Sequence, residues 1–135
     1  MCGILAYIKA NKDVPTFTEN LQKLDARGPD KSDCKIYELE DIMLGFTRLA
    51  INDLSLSGMQ PMTINNDVWL ICNGEIFNHK ELEVKYDITC KTKSDCEIIL
   101  HLYEFMDIDT LCNSLDGVFS FVLYDNSQKK NNYGS

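Results

Sequence analysis

The second residue of the chain, Cys2, is the strongest candidate for chemistry because of its position. If Met1 is removed, Cys2 carries a thiol and a free α-amine on the same residue. A thiol needs a base before it acts as a nucleophile, and an α-amine with a pKa of about 7.7–8.0 can accept its proton near neutral pH. The alternative is that Cys2 is a small apolar residue at the start of a strand. The first residues alone leave both interpretations open.

The composition limits the classes of protein to which the chain can belong. Its 135 residues are the length of one domain, and 44% hydrophobic with 25% charged residues is typical of a globular chain with a buried core. The net charge of −8 disfavours binding to nucleic acid or to an anionic membrane. No apolar run approaches the roughly 20 residues of a membrane span, and no secretory signal is recognisable. We therefore expect a cytoplasmic protein.

The remaining cysteines do not predict a disulfide framework or a metal site. They are Cys34, Cys72, Cys90, Cys96 and Cys112. A disulfide framework requires a secreted context, for which there is no sign. No pair of cysteines, or of cysteine and histidine, has zinc-finger spacing. We expect reduced thiols, with no metal in the site.

The N-terminal half of the sequence predicts one helix among strands. Thr16 with Glu19 three residues later forms a capping box, which predicts a helix over 17–26. The segment Arg27-Gly28-Pro29-Asp30 carries the glycine and proline signals that end a helix. Apolar stretches predict strands over 2–9, 34–39 and 42–49.

The C-terminal half predicts further helices between two strands. The run 68–72 is apolar enough for a buried strand, and Asn73-Gly74 is a strong turn signal that is predicted to end it. A helix is expected over 78–86. Ser94 with Glu97 forms a second capping box, which predicts a helix to about residue 106 with Phe105 on its apolar stripe.

Two last elements complete the prediction. Asp109 is expected to cap a short helical turn, and 118–124 is expected to form a strand. This mixture of strands and helices predicts antiparallel sheet with helices packed against it.

Taken in order, these segments resemble the class II glutamine amidotransferase domain, most closely the N-terminal domain of glutamine-hydrolysing asparagine synthetases. The segments are MCGI at 1–4, RGPD at 27–30, Arg48-Leu49 with Ile51, MQPM at 59–62, NGEIFN at 73–78, SDCE at 94–97 and LDGVFSFVLYD at 115–125. They predict an amidotransferase domain over 1–125 and a polar tail over 126–135. The resemblance implies an α+β fold, the four-layer α-β-β-α sandwich of N-terminal nucleophile hydrolases.

The resemblance implies catalytic roles for three residues. Cys2, freed of Met1, would attack the side-chain amide of glutamine. The Asn73 side chain and the Gly74 N–H would form the oxyanion hole, in which each donor is commonly worth roughly 3–4 kcal/mol. Ammonia would leave, and water would release glutamate from the thioester. This reaction requires no cofactor, since ATP and magnesium would serve only the synthetase domain.

The resemblance also implies a pocket for the amino-acid part of the substrate. Arg48 would bind the α-carboxylate, for which a guanidinium fork is suited. Asp95 would pair with the α-ammonium group, assisted by Glu75. Leu49 and Ile51 would line the pocket through their backbones.

The residues themselves leave simpler interpretations open. Arg48 could be a surface charge at a strand end, and Asp95 could serve only the N-terminus of the following helix. Asn73-Gly74 could be only a turn.

After Asp125 the sequence departs from the family that it resembles. Members of that family continue with more strands and then with an ATP-dependent synthetase domain, so the sandwich is expected to be incomplete at its C-terminal end. Three hypotheses follow. The chain is a glutaminase whose ammonia serves a separate synthetase partner, an inactive truncated remnant, or a binding module whose sheet is completed by a partner strand.

Overall fold

Six strands and four helices make up the described part of the chain, residues 2–8, 13–37, 42–49 and 56–127 of a computed structural model. In chain order they are β1 (Gly3–Ile8), α1 (Val14–Gln22), β2 (Lys31–Tyr37), β3 (Ile42–Arg48), β4 (Met62–Ile64), β5 (Val68–Ile76), α2 (His79–Tyr86), α3 (Glu97–Tyr103), α4 (Ile108–Ser114) and β6 (Gly117–Asp125). A single 3₁₀ turn, Leu56–Gly58, precedes β4.

The strands form two antiparallel sheets of three strands each. The first sheet has the order β1-β3-β2, and the second has the order β4-β5-β6. In the first sheet Gly3 stands opposite Thr47, so the beginning of β1 lies at the end of β3. In the second sheet β5 pairs with β6 along its whole length, from Val68 to Ile76.

The two faces of the first sheet bury different apolar sets. Because side chains alternate along a strand, Leu44 and Phe46 of β3 point to one face and Met43 to the other. Leu44 and Phe46 pack with Ile71 of β5, between the two sheets. Met43 packs with Phe17 of α1. The first sheet therefore lies between α1 and the second sheet.

The outer face of the second sheet is covered by α2, α3 and α4. Leu70 and Cys72 of β5 pack against the buried face of α3, with contributions from Leu82 of α2 and Leu111 of α4. The order of layers is α1, first sheet, second sheet, and α2–α4. An α+β architecture is thus observed, and it is compatible with the predicted α-β-β-α sandwich.

The predicted start of α1 was wrong. The helix begins at Val14, and the Asp13 carboxylate caps it by accepting the Thr16 N–H at 3.1 Å. Pro15 is tolerated in this first turn, where a backbone N–H has no partner inside the helix. Thr16 and Glu19 therefore form no capping box, and the helix ends at Gln22 rather than at residue 26.

The prediction of a capping box at the start of α3 was wrong as well. Helix α3 begins at Glu97, and no side chain caps it. The Glu97 carboxylate instead accepts the backbone N–H groups of Lys91 and Thr92, at 2.8 and 2.7 Å. These donors precede Ser94, so the carboxylate stabilises the loop before the helix.

The end of α3 and the start of α4 also differ from the prediction. Helix α3 ends at Tyr103, and Phe105, predicted to be part of its apolar stripe, is 56% exposed. Asp107 rather than Asp109 caps α4, where its carboxylate accepts the Thr110 N–H at 2.9 Å. The helix predicted over 78–86 is confirmed as α2, and β6 extends the strand predicted over 118–124 by one residue at each end.

No helix in the described ranges is long and apolar enough to cross a lipid bilayer.

Candidate active site

The Cys2 thiol lies beside the main chain of Leu49, just after β3. The Leu49 N–H donates to Cys2 Sγ at 3.3 Å, and the thiol donates to the Leu49 carbonyl oxygen at 3.6 Å. The antiparallel pairing of β1 with β3, in which Gly3 faces Thr47, brings the two residues together. Cys2 is half-buried and packs against the apolar cluster between the sheets. The backbone thus holds the sulphur in a defined position.

The turn after α1 supports Cys2 from the other side. Arg27 Nε donates to the Cys2 carbonyl oxygen at 3.2 Å. Gly28 lies so close to β3 that a Cβ atom there would stand 2.2 Å from the Thr47 carbonyl group. Only a residue without a side chain fits this approach. The segment predicted to stop the helix therefore also positions Cys2, a role that sequence reasoning missed.

Arg48 ends β3 with a buried side chain. It is 6% exposed, which does not fit the alternative of a surface charge. Its position two residues after Phe46 places it on the strand face that points between the sheets. The Arg48 carbonyl oxygen accepts the Asp30 N–H at 2.9 Å, next to a short bridge with Pro29. A guanidinium is retained in such a place only where other groups compensate for its lost hydration.

Asn73 and Gly74 lie inside β5 and not in a turn. They face Ser120 and Phe119 of β6, and the strand continues to Ile76. The predicted end of the strand at residue 72 was therefore wrong. Gly74 has φ of +151°, and a Cβ atom there would meet the β6 backbone at 2.2 Å. Both properties require glycine.

The Asn73 amide is incompletely satisfied. Its oxygen is buried and has no hydrogen-bond partner among the described residues. A buried polar atom without a partner costs about 1–3 kcal/mol, and such atoms in folded proteins call for an explanation. Alternation with Ile71 places the Asn73 side chain on the β5 face that meets the first sheet.

Asp95 lies in the turn before α3 and is 6% exposed. Its Oδ2 accepts the Ile76 N–H at 2.6 Å. In this bond the carboxylate binds the end of β5 and not the N-terminus of α3. The interaction fixes the turn before α3 against the strand that carries Asn73 and Gly74.

Two buried cysteines flank these residues. Cys96 Sγ and Cys72 Sγ are 3.0 Å apart in a thiol–thiol hydrogen bond. This bond raises the pKa of Cys96, together with burial and the neighbouring Asp95 and Cys2 groups. Cys72 directly precedes Asn73 and Cys96 directly follows Asp95, so this bond joins β5 to the turn before α3.

Gln60 is a further positioning residue that sequence reasoning missed. Its side chain is 4% exposed and forms two hydrogen bonds with the backbone of Cys72. Oε1 accepts the Cys72 N–H at 2.5 Å, and Nε2 donates to the Cys72 carbonyl oxygen at 3.2 Å. The MQPM segment was recognised, but nothing in its residue types identifies a partner 12 positions away.

The remaining predicted site residues are placed differently. Glu75 is exposed on β5, next to Gly74. Ile51 lies outside the described residues. The structure brings Cys2 into direct contact with Leu49, and it fixes Asp95 against β5.

Comparison with known proteins identifies the domain. Residues 1–132 match the glutamine amidotransferase domain family. A probable glutamine-hydrolysing asparagine synthetase of Acanthamoeba polyphaga mimivirus is 42% identical over 135 residues, which cover 96% of this chain and 24% of that protein. The glutamine-hydrolysing asparagine synthetases of Bos taurus and Homo sapiens are each 39% identical over 138 residues, with the same shares. The chain thus spans about a quarter of these relatives, and the predicted resemblance is confirmed.

Proposed function

Because this chain belongs to the glutamine amidotransferase domain family, we propose that it hydrolyses the side-chain amide of glutamine with Cys2 as the nucleophile. The contact between Leu49 and Cys2 carries the proposal. A backbone N–H directed at the sulphur from 3.3 Å stabilises negative charge there. The layer order of the fold supports assignment to the N-terminal nucleophile hydrolases.

The reaction uses the thiol and the α-amine of Cys2 after removal of Met1. The amine takes the thiol proton, the thiolate attacks the amide carbon, and a C–S bond forms. The C–N bond then breaks as the leaving nitrogen receives the proton, and ammonia departs. Water attacks the thioester and releases glutamate, with the amine again moving the proton. No metal or cofactor takes part.

We assign the oxyanion hole to the Asn73 amide and the Gly74 N–H. The Asn73 side chain lies on the β5 face that meets the first sheet, and Gly74 permits close backbone approach, which supports this. The donor from Asn73 would be its NH₂ group, since the amide oxygen can only accept. Preorganised donors of this kind lower the barrier because they do not reorganise as charge develops.

We assign the two ends of the amino-acid group to buried residues of opposite charge. Arg48 would bind the α-carboxylate and Asp95 the α-ammonium group, with Glu75 contributing at the exposed side. Both charged residues are only 6% exposed, so an ionic contact with a bound substrate would be weakly screened by water. Leu49 and Ile51 would complete the pocket through their backbones.

The ammonia produced here would serve an amination elsewhere. The relatives are named as asparagine synthetases, so we propose a synthetase domain or chain that uses ATP and magnesium as the recipient, in the cytoplasm.

The test is the release of glutamate and ammonia from L-glutamine by purified protein whose N-terminal mass has been measured. We expect activity from protein lacking Met1 and none from Cys2→Ala. Cys112→Ser removes an exposed thiol and is the matched control, which should retain activity.

Two results would contradict the proposal. One is the absence of glutamate release from protein that lacks Met1 and unfolds cooperatively. The other is full activity in protein that retains Met1, because that protein has no free α-amine on Cys2.

A further inference from the structure

Three side chains with metal-binding atoms converge between α3 and the loop before it. They are Cys90, Glu97 and His101, whose sulphur, oxygen and nitrogen atoms all lie within 4.8 Å of one another. Glu97 and His101 are four residues apart and therefore share one face of α3. The proposed glutamine hydrolysis uses none of the three.

We propose that Cys90, Glu97 and His101 form a zinc site. A thiolate, an imidazole and a carboxylate are the ligand types that zinc takes in proteins, whereas magnesium and calcium prefer oxygen alone. With zinc–ligand bonds of about 2.0–2.3 Å, tetrahedral ligand atoms stand about 3.3–3.7 Å apart. His101 Nε2 and Glu97 Oε1 are already 3.3 Å apart. The longest separation has to shrink by about 1 Å, which side-chain rotation can provide.

The groups around Glu97 hold its carboxylate in place. Oε1 accepts the Lys91 N–H, while Oε2 accepts both the N–H and the hydroxyl of Thr92, at 2.7 and 2.6 Å. Metal-binding carboxylates are commonly fixed by hydrogen bonds of this kind. Glu97 is 6% exposed, so these bonds do not compete with bulk water.

His101 has an outer partner as well. Its Nε2 points to Glu97, and its Nδ1 lies 3.7 Å from Glu104 Oε2. A histidine that binds zinc through one nitrogen typically donates the other N–H to a carboxylate, which fixes the ring and its tautomer. Glu104, one turn after His101, is placed for that role.

A pocket lies open beside two of the three proposed ligands. Glu97 and His101 line a cavity of about 250 Å³, together with Met62, Thr92 and Leu100. A site with three protein ligands leaves one position for water or another small ligand. The cavity gives the ion a route of entry.

Binding of the ion would replace the thiol proton of Cys90. Burial and the neighbouring Glu97 and Glu83 carboxylates raise the pKa of Cys90 to about 12, so the free thiol keeps its proton. Zinc reverses this preference because a coordinated thiol is deprotonated. The other interpretation of the cluster is a hydrogen bond between Glu97 and His101 that only stabilises the loop, with Cys90 a bystander.

Titration of the full chain with Co²⁺, in a phosphine reductant, separates these interpretations. We expect one equivalent to bind, with a thiolate-to-cobalt charge-transfer band and the visible bands of four-coordinate cobalt, all removed by Zn²⁺. Cys90→Ser should abolish the charge-transfer band. His101→Gln should weaken binding by about 100-fold, and Glu104→Gln, which changes a positioning residue, by about 10-fold.

Matched controls are Cys34→Ser and Cys112→Ser, which remove exposed thiols and should leave the spectrum unchanged. Circular dichroism confirms that each variant is folded, and His101→Gln still tests the site if Cys90→Ser unfolds. The proposal is overturned if the wild-type chain gives no thiolate band, or if the band and affinity survive in Cys90→Ser or His101→Gln. None of these results depends on glutaminase activity.

Discussion

The two strands that carry the candidate active site, β3 and β5, are held in different ways. Strand β3 is paired on both sides, with β1 along Gly3–Ile8 and with β2 along Lys31–Tyr37. Strand β5 is paired along its whole length with β6, but β4 accompanies it only from Val68 to Leu70. In the described ranges, no strand continues β4 beside residues 71–76.

Side chains take the place of the missing strand beside β5. Gln60 binds the N–H and the carbonyl oxygen of Cys72, as a neighbouring strand would. Asp95 accepts the N–H of Ile76. Asn73 and Gly74, the proposed oxyanion hole, lie between these two points. A gap between main-chain partners leaves room for a ligand, while the two side chains satisfy the neighbouring backbone groups of the strand.

The largest expected loss of stability compares the rigidity of two regions. The first region is β3 with the turn that packs on it, and the second is β5 with β6 and α2–α4. Gly28→Ala and Gly74→Ala would each put a Cβ atom 2.2 Å from a backbone atom. Gly28 lies in a turn that is held to β3 by the hydrogen bond from the Asp30 N–H to the Arg48 carbonyl oxygen and not by pairing along a strand. Part of the clash can therefore be relieved, and we expect a loss of about 2 kcal/mol. Gly74 lies in a paired strand at φ of +151°, where strain adds to the clash, and we expect about 4 kcal/mol.

Urea unfolding measures both values, with the wild-type chain as the reference. Equal losses of stability in the two variants would show that β5 relaxes as easily as the turn at Gly28. That result would contradict the claim that β5 is the more rigid of the two.

The next effect tests whether Gln60 acts as a substitute strand. Gln60→Met keeps the length of the side chain but leaves the N–H and carbonyl oxygen of Cys72 without partners. Because each unpaired buried group costs about 1–3 kcal/mol, we expect a loss of about 3 kcal/mol in urea unfolding. We also expect lower glutaminase kcat, since Asn73 follows Cys72.

Gln22→Met is the matched control, because Gln22 is exposed on α1. It should change stability by less than about 0.5 kcal/mol. A Gln60→Met variant as stable as this control would remove the role assigned to Gln60.

Features set by neighbouring residues can be predicted from the sequence, whereas those set by distant contacts cannot. The ends of β3 follow from an apolar stretch, and the position of α2 follows from a polar, helix-forming stretch. The family follows from ordered motifs that include Cys2 and Arg48. The bonds from Gln60 to Cys72 and from Asp95 to Ile76 join positions 12 and 19 residues apart. Local patterns carry no information on such pairs. The extension of β5 through Asn73-Gly74 was missed for the same reason, because pairing with β6 overrides the local turn preference.

A smaller loss of stability is expected when a side-chain hydrogen bond of β3 is removed. The Thr47 hydroxyl donates to the Leu24 carbonyl oxygen at 3.1 Å and is fully buried. Thr47→Val removes this bond with little change of shape, so we expect a loss of about 1 kcal/mol in urea unfolding. The loss should be smaller than for Gln60→Met, since β3 keeps its strand partners.

Thr63→Val is the control for this change. The Thr63 hydroxyl donates to the Val68 carbonyl oxygen at an exposed position, where water can replace it. A Thr47→Val loss as large as that of Gln60→Met would show that β3 also depends on side-chain bonds.

The smallest expected effect is on the pH dependence of stability, through the Asp107 cap of α4. Hydrogen bonds from the Thr110 hydroxyl and N–H lower the pKa of Asp107 below its ordinary value of 3.8. The unfolded chain therefore takes up the proton first as the pH falls. This stabilisation is fully present above pH 3.8 and is lost as the pH drops through the folded-state pKa.

Asp107→Asn retains a residue that caps helices well but removes the titrating group. We expect its urea midpoint to fall less than that of the wild type between about pH 5 and about pH 3. Thr110→Val removes the hydroxyl bond alone and should give an intermediate slope, because the N–H bond remains. If all three proteins show the same slope, the acid sensitivity of this region does not come from the Asp107 cap.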